Sequence, residues 1–173
     1  HCKALETEPA AGEWLTAFLG FRCRPVFMPE STARVVDPEY TLERSRTSFT
    51  DGFPFLLIGE PSLADLNGRL AEPVGMERFR PNLVIRGAAP FAEDDWRQIR
   101  IGNVVFQVAK PCSRCRVTTV DSARGDFSGK EPLKTLATYR SVSGKTLFGQ
   151  NLIHRQAGRL QVGNEVSIVD PLD

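Results

Sequence analysis

Apolar positions along this chain recur in two periods, and the switch between them marks out the elements. In residues 9–20, Trp14, Leu15, Phe18 and Leu19 fall on one face at helical spacing and Gly20 follows as a stop, which predicts a helix. Residues 23–28 read as a short strand, and the polar, aperiodic stretch 29–50 as a long loop of the kind that carries function in compact domains. The apolar run 53–59 predicts a buried strand. Ser62-Leu63-Ala64-Asp65 has the shape of a capping box, with Asp in place of Glu, and opens a helix through Leu70. Residues 82–86 predict another strand. Segments 98–101 and 104–109, joined by Gly102-Asn103, predict a hairpin, because a two-residue Gly-Asn loop suits a primed turn. The β-branched run 116–120 reads as a strand. Residues 131–139 read as a helix with Pro132 in its first turn. Segments 148–154, 159–162 and 165–169 complete the set as strands, the last two joined by Gly163-Asn164. Many short strands with a few helices imply a mainly β, α+β fold with a twisted, barrel-like sheet and peripheral helices.

Composition narrows the function classes. The 173 residues are 41% hydrophobic and 25% charged, as in an ordinary globular domain with a real core. A net charge of +1 offers no broad basic excess to neutralise phosphates, which excludes an electrostatically driven nucleic-acid binder. No apolar stretch approaches the roughly 20 residues that span a bilayer. His1-Cys2-Lys3 is not a native start and no signal sequence is visible, so the chain is expected to be a piece of something longer. No repeat, low-complexity segment or linker divides it.

The densest chemistry is Cys112-Ser113-Arg114-Cys115, two soft thiol ligands around a guanidinium in one turn. It admits a zinc knuckle, a redox dithiol, a disulfide or a single thiolate that binds a metal cofactor. Zinc normally asks for four ligands, and the chain has no second CxxC; Cys23 and His1 or His154 would have to come from afar. A thioredoxin-like dithiol sits at a helix N-terminus, whereas a strand is predicted here. Arg78-Phe79-Arg80-Pro81-Asn82 offers donors suited to phosphate or a polar heterocycle, or else is a solvated loop. Asp51-Gly52 reads as a turn in which Gly permits close approach of a ligand. Ser128-Gly129-Lys130 lacks the spacing of a phosphate loop. Gln150-Asn151 sets two amides after Gly149, and His154 reads as a satisfied core or edge residue. No Ser-His-Asp ordering is present.

In order along the chain, Phe79-Arg80-Pro81-Asn82, Ala92-Glu93-Asp94-Asp95-Trp96, Cys112-Ser113-Arg114-Cys115, Thr118-Thr119-Val120-Asp121, Lys130-Glu131-Pro132-Leu133, Tyr139-Arg140, Phe148-Gly149-Gln150 and Val162-Gly163-Asn164 strongly resemble the MOSC domain, the C-terminal part of molybdenum cofactor sulfurases. The nearest likeness is to the branch that holds the mitochondrial amidoxime-reducing component and its bacterial relatives. It covers nearly all of 1–173 and is densest over 78–166.

The resemblance implies a molybdopterin-type molybdenum cofactor held by one thiolate, Cys115, as both metal ligand and catalytic residue. The flanking Arg114 and Arg116 suit an anionic sulfur, and Cys112 becomes a supporting neighbour. Asp51, Gly52, Arg80, Asn82, Ser113, Arg114 and Asn151 are carried over by position as cofactor-binding residues. The implied reaction is two-electron N–O reduction of amidoximes, hydroxamic acids and hydroxylamines, with electrons from a cytochrome b5-type or ferredoxin-type partner. The compartment is cytoplasmic for a bacterial source and the mitochondrial outer membrane for a eukaryotic one. Members of the branch carry an additional N-terminal β-barrel; that barrel and any C-terminal iron–sulfur module are expected to lie outside this piece, which is therefore expected to hold cofactor poorly. The alternatives are a domain that receives or carries sulfurated cofactor, and a zinc-binding interaction module.

Overall fold

The computed structural model describes residues 3–41 and 45–169. They fall into two compact units, His1–Gly52 and Phe53–Asp173. In the first, strands β1 (Leu5–Glu6) and β2 (Val26–Phe27) pair antiparallel, with helix α1 (Pro9–Leu19) between them in sequence. The helix stops where expected, at Gly20, whose φ of 75° is open to glycine at little cost. Its apolar stripe does not form a core. No residue of α1 is buried, and Trp14 and Phe18 stack with centroids 5.4 Å apart. The long loop is held by Arg34, which donates to the carbonyls of Ser48, Thr50 and Asp51. Positions 42–44 of that loop, and His1 and Cys2, lie outside the described residues.

The second unit holds the strand-dominated, barrel-like sheet expected from the sequence. Its strands are β3 (Phe55–Gly59), β4 (Leu83–Ile85), β5 (Gln98–Ile101), β6 (Val104–Ser113), β9 (Ser141–Val142), β10 (Lys145–His154) and β11 (Val166–Ile168); β7 (Val120–Asp121) and β8 (Asp126–Phe127) form a separate hairpin. The sheet order is β11-β5-β6-β10-β3-β4, with β9 on the start of β10. All pairs are antiparallel except β3 and β4, which run parallel across helix α2 (Glu60–Asn67). Helix α3 (Leu133–Tyr139) precedes β9; its amide at Thr135 donates to the Glu131 carboxylate.

Strand alternation explains why this unit has two cores. Leu57 joins Ile85, Ile99, Ile101, Val104, Phe106 and Leu152 on one face. The next residue, Ile58, joins Leu66, Phe79, Leu136 and Phe148 on the other, where α2 and α3 pack. Leu57 and Ile58 are both fully buried.

Three local expectations are corrected. The run 116–120 is a single 3-10 turn, Arg116–Thr119, before β7 begins; the hydroxyls of Thr118 and Thr119 donate back to the carbonyls of Cys115 and Arg116, which outweighs β propensity. Ser62 is inside α2, whose cap is Gly59. Its hydroxyl donates to buried Glu93 and accepts from the amide of Phe91. Residues 159–162 form no strand; a turn at 162–163 leads to β11.

Candidate functional site

The end of β6 gathers most of the predicted residues. β6 runs through Pro111 and Cys112 to Ser113, where Ser113 faces Leu147 of β10. The amide of Arg114 then donates to the Thr146 carbonyl at 2.7 Å. Cys115 follows as the extended residue that opens the 3-10 turn, and its thiol is exposed. Its carbonyl accepts from the amide of Thr118 at 3.1 Å and the hydroxyl of Thr118 at 2.9 Å, so the backbone below the thiol is held from within the turn.

Arg114 is a strut. One terminal nitrogen donates to the Phe79 carbonyl at 2.7 Å and the other to Cys112 Sγ at 3.1 Å, while the guanidinium lies 5.5 Å from the centre of the Phe79 ring. It ties the 79–82 segment to the thiol turn. Its Nε is buried without a partner, as is that of Arg78, whose terminal nitrogen donates to the Val120 carbonyl. Arg116 turns to the β7–β8 hairpin and sits 3.8 Å over the Phe127 ring. The two guanidiniums that flank Cys115 in sequence are thus engaged with other groups. In the same hairpin the Asp121 carboxyl is held below the usual carboxylate range by the amides of Arg124 and Ala123, with the charge of Arg78 adding to the effect.

Arg80 is exposed and left-handed at φ 55°, and its side chain makes no hydrogen bond, ion pair or ring contact among the described residues. A long side chain held in that conformation between Phe79 and Pro81 is costly, by about 1–3 kcal/mol. Asn82 is bound at both ends of its backbone register: its amide donates to the Leu56 carbonyl, and its Oδ1 accepts from the Leu56 amide, each at 2.9 Å. Asn151 faces Leu56 on one side and Lys110 on the other, and its Nδ2 reaches the Pro111 carbonyl at 3.4 Å. Lys110, Asn151, Leu56 and Asn82 therefore form one row across the sheet, beside the turn that carries Ser113, Arg114 and Cys115.

Lys110, which the sequence reading did not single out, and Arg78, which it named only as part of the Arg78–Asn82 donor segment, also lie in this region. Lys110 was legible as the residue two before Cys112 on the same strand. Asp51 and Gly52 end the first unit, Asp51 offering its carbonyl to Arg34 at 2.8 Å. His154, at the end of β10, packs edge-on to Phe55 at 5.5 Å, but its Nδ1 is buried without a partner, so it is not the satisfied residue expected. No cluster of three or more His, Cys, Asp or Glu able to hold a metal exists among the described residues.

Comparison with known proteins decides what family this arrangement belongs to. The MOSC domain model matches residues 44–167, well over half of the chain. The chain belongs to the MOSC family. This MOSC chain is 37% identical over 174 residues to mitochondrial amidoxime-reducing component 1 of Homo sapiens, a match that covers 92% of the chain and 51% of that protein. It is 40% identical over 144 residues to mitochondrial amidoxime reducing component 2 of Rattus norvegicus, covering 79% and 43%. It is 41% identical over 143 residues to molybdenum cofactor sulfurase of Oryza sativa, covering 71% and 17%. The MOSC chain spans about half the length of the amidoxime-reducing components it matches. No helix among its described residues is long and apolar enough to cross a membrane.

Proposed function

We propose that this MOSC domain binds a molybdopterin-type molybdenum cofactor through Cys115 and serves in the two-electron reduction of N-hydroxylated compounds. The observation that carries the reading is an exposed thiol on a backbone fixed from both sides, in a turn that Arg114 ties to the segment bearing Arg80. The donor set fits such a group. A soft sulfur suits molybdenum, and Arg114, the residue just before it, keeps a buried Nε without a partner. When bound, the cofactor supplies the oxygen-accepting, two-electron chemistry of N–O cleavage.

The protein's own part is to hold and orient. Cys115 anchors the metal. Arg80, its guanidinium free and its backbone set at an angle that strands do not reach, takes the anionic end of the cofactor. Ser113, Asn151 and Asn82 present hydroxyl and amide groups along one edge, where oxygen and nitrogen atoms of a heterocycle find partners. Arg114 keeps the 79–82 segment and the thiol turn at fixed separation. The net reaction takes an N–OH compound, two electrons and two protons to the N–H compound and water. The electrons come from a cytochrome b5-type or ferredoxin-type protein. Relatives named as mitochondrial support a mitochondrial setting for a eukaryotic source.

The rice sulfurase match favours one second reading, a domain that receives or carries the sulfurated cofactor. Molybdenum quantitation and benzamidoxime reduction, measured on the full-length protein from a cofactor-competent host, separate the two. Stoichiometric molybdenum with turnover supports the reductase; molybdenum without turnover supports the carrier. Cys115→Ala is expected to abolish molybdenum retention, whereas Cys112→Ala keeps much of it. Equal loss in both would overturn the single-ligand assignment.

A further inference from the structure

On the far side of β10 lies a polar network that the site does not use directly. The Asp94 carboxylate divides its two oxygens. Oδ1 accepts from Gln150 Nε2 at 2.7 Å and Oδ2 meets Arg140 at 2.6 Å. Gln150 is 1% exposed, and the Asp94 and Arg140 side chains are 27% and 17% exposed. Arg140 also lies 4.4 Å over the Phe91 ring, and its Nε donates to the Leu147 carbonyl at 3.4 Å. The Leu147 amide in turn donates to the Arg140 carbonyl at 2.8 Å. Residues on both sides of one short segment, Leu147 and Gln150, are thereby gripped.

That segment is irregular. Leu147 faces Ser113 and Gln150 faces Pro111, so β10 advances three positions while β6 advances two. The extra residue makes a bulge, and Gly149 supplies it at φ 78°. A bulged residue has no ladder partner to define it, so its geometry is set by what surrounds it. Directly beyond it, Leu147 faces Ser113 and the Thr146 carbonyl holds the Arg114 amide, one residue short of Cys115. An ion pair and a buried amide are poor sources of stability compared with apolar side chains of the same volume, but they fix direction.

We infer that Asp94, Arg140 and Gln150 are positioning residues which set the β10 bulge and, through Thr146 and Leu147, the height of the Cys115 turn. Their value to catalysis rests on the reading of Cys115 as the ligand; the mechanical coupling does not. Hydrogen exchange read by mass spectrometry tests the coupling on the unloaded protein, and molybdenum content with the Mo(V) electron paramagnetic resonance signal tests its use. Arg140→Ala is expected to speed exchange across residues 112–116 by about tenfold and leave β5 unchanged. In the loaded protein it should lower retained molybdenum and shift the Mo(V) signal, and Arg140→Lys should restore part of each. Unchanged exchange at 112–116, or acceleration spread evenly over the sheet, would overturn the inference. Should Arg140→Ala not fold, the near-isosteric Asp94→Asn carries the same readouts; failure of both to fold would assign the network to the fold alone. A wild-type protein without molybdenum would sink the proposed function and leave the exchange result to decide the coupling.

Discussion

Arg114 and Gly149 are the residues on which the local geometry turns, and each acts through a constraint rather than through bulk. The Arg114 guanidinium is held by Phe79 and Cys112, which gives Cys112 a role as an acceptor for the strut. Gly149 is needed for two reasons. Its φ of 78° is unfavourable for an L side chain, and a Cβ there would stand 2.6 Å from Ile58 Cγ1 and 2.7 Å from the Leu57 carbonyl oxygen. Gly149→Ala is therefore expected to destabilise the fold by about 3 kcal/mol, combining the left-handed penalty with overpacking. Denaturant unfolding of the purified variant checks it, and a loss below about 1 kcal/mol would show that β10 and β3 can separate locally. The proposal of Cys115 as the ligand rests on its place in an ordered series of motifs, which was legible in the sequence. The partners of Arg114 were not, because they depend on a contact with Phe79 that lies 35 positions away.

At the scale of elements, local signals succeeded where the chain closes on itself quickly and failed where distant groups compete. The β5–β6 hairpin formed as the Gly102-Asn103 turn predicts, in register from Gln98 with Gln107 to Ile101 with Val104. The run after Cys115 and the start of α2 went otherwise, through hydroxyl back-bonding in one case and Glu93 in the other. The β7–β8 hairpin carries a pH-dependent link of its own. Its Asp121 carboxylate accepts from the amides of Ala123 at 2.9 Å and Arg124 at 3.1 Å, and its pKa is lowered by them. A carboxyl more acidic in the folded than in the unfolded state stabilises above the unfolded value of about 3.9, and that contribution fades as pH falls through the folded value. Wild type should melt above Asp121→Asn at pH 7, and the gap should shrink as acidification passes below the ordinary carboxylate range. Thermal scans of the two proteins across that range test this; a gap constant with pH would contradict it.

For the whole molecule, the two buried clusters on opposite faces of one sheet follow from strand alternation, as Leu57 and Ile58 show. The zinc alternative belongs to this scale, since it needs ligands drawn together from distant segments. Cys112 is bound by Arg114, and no cluster of three metal-binding side chains forms among the described residues. Zinc titration followed by calorimetry is expected to show no stoichiometric tight site; one that needs both Cys112 and Cys115 would restore that reading. By itself the sequence determined the family, the strand-rich α+β class, most of the strands and the position of the thiol turn, since these are written in periodicity, turn residues and motif order. Only the tertiary structure decided where each guanidinium points, that β10 carries a bulge, and that Gln150 meets Asp94 across 56 positions. Those are properties of contacts between distant segments, and no local pattern encodes which of several equally polar partners a side chain will meet once the sheet has closed.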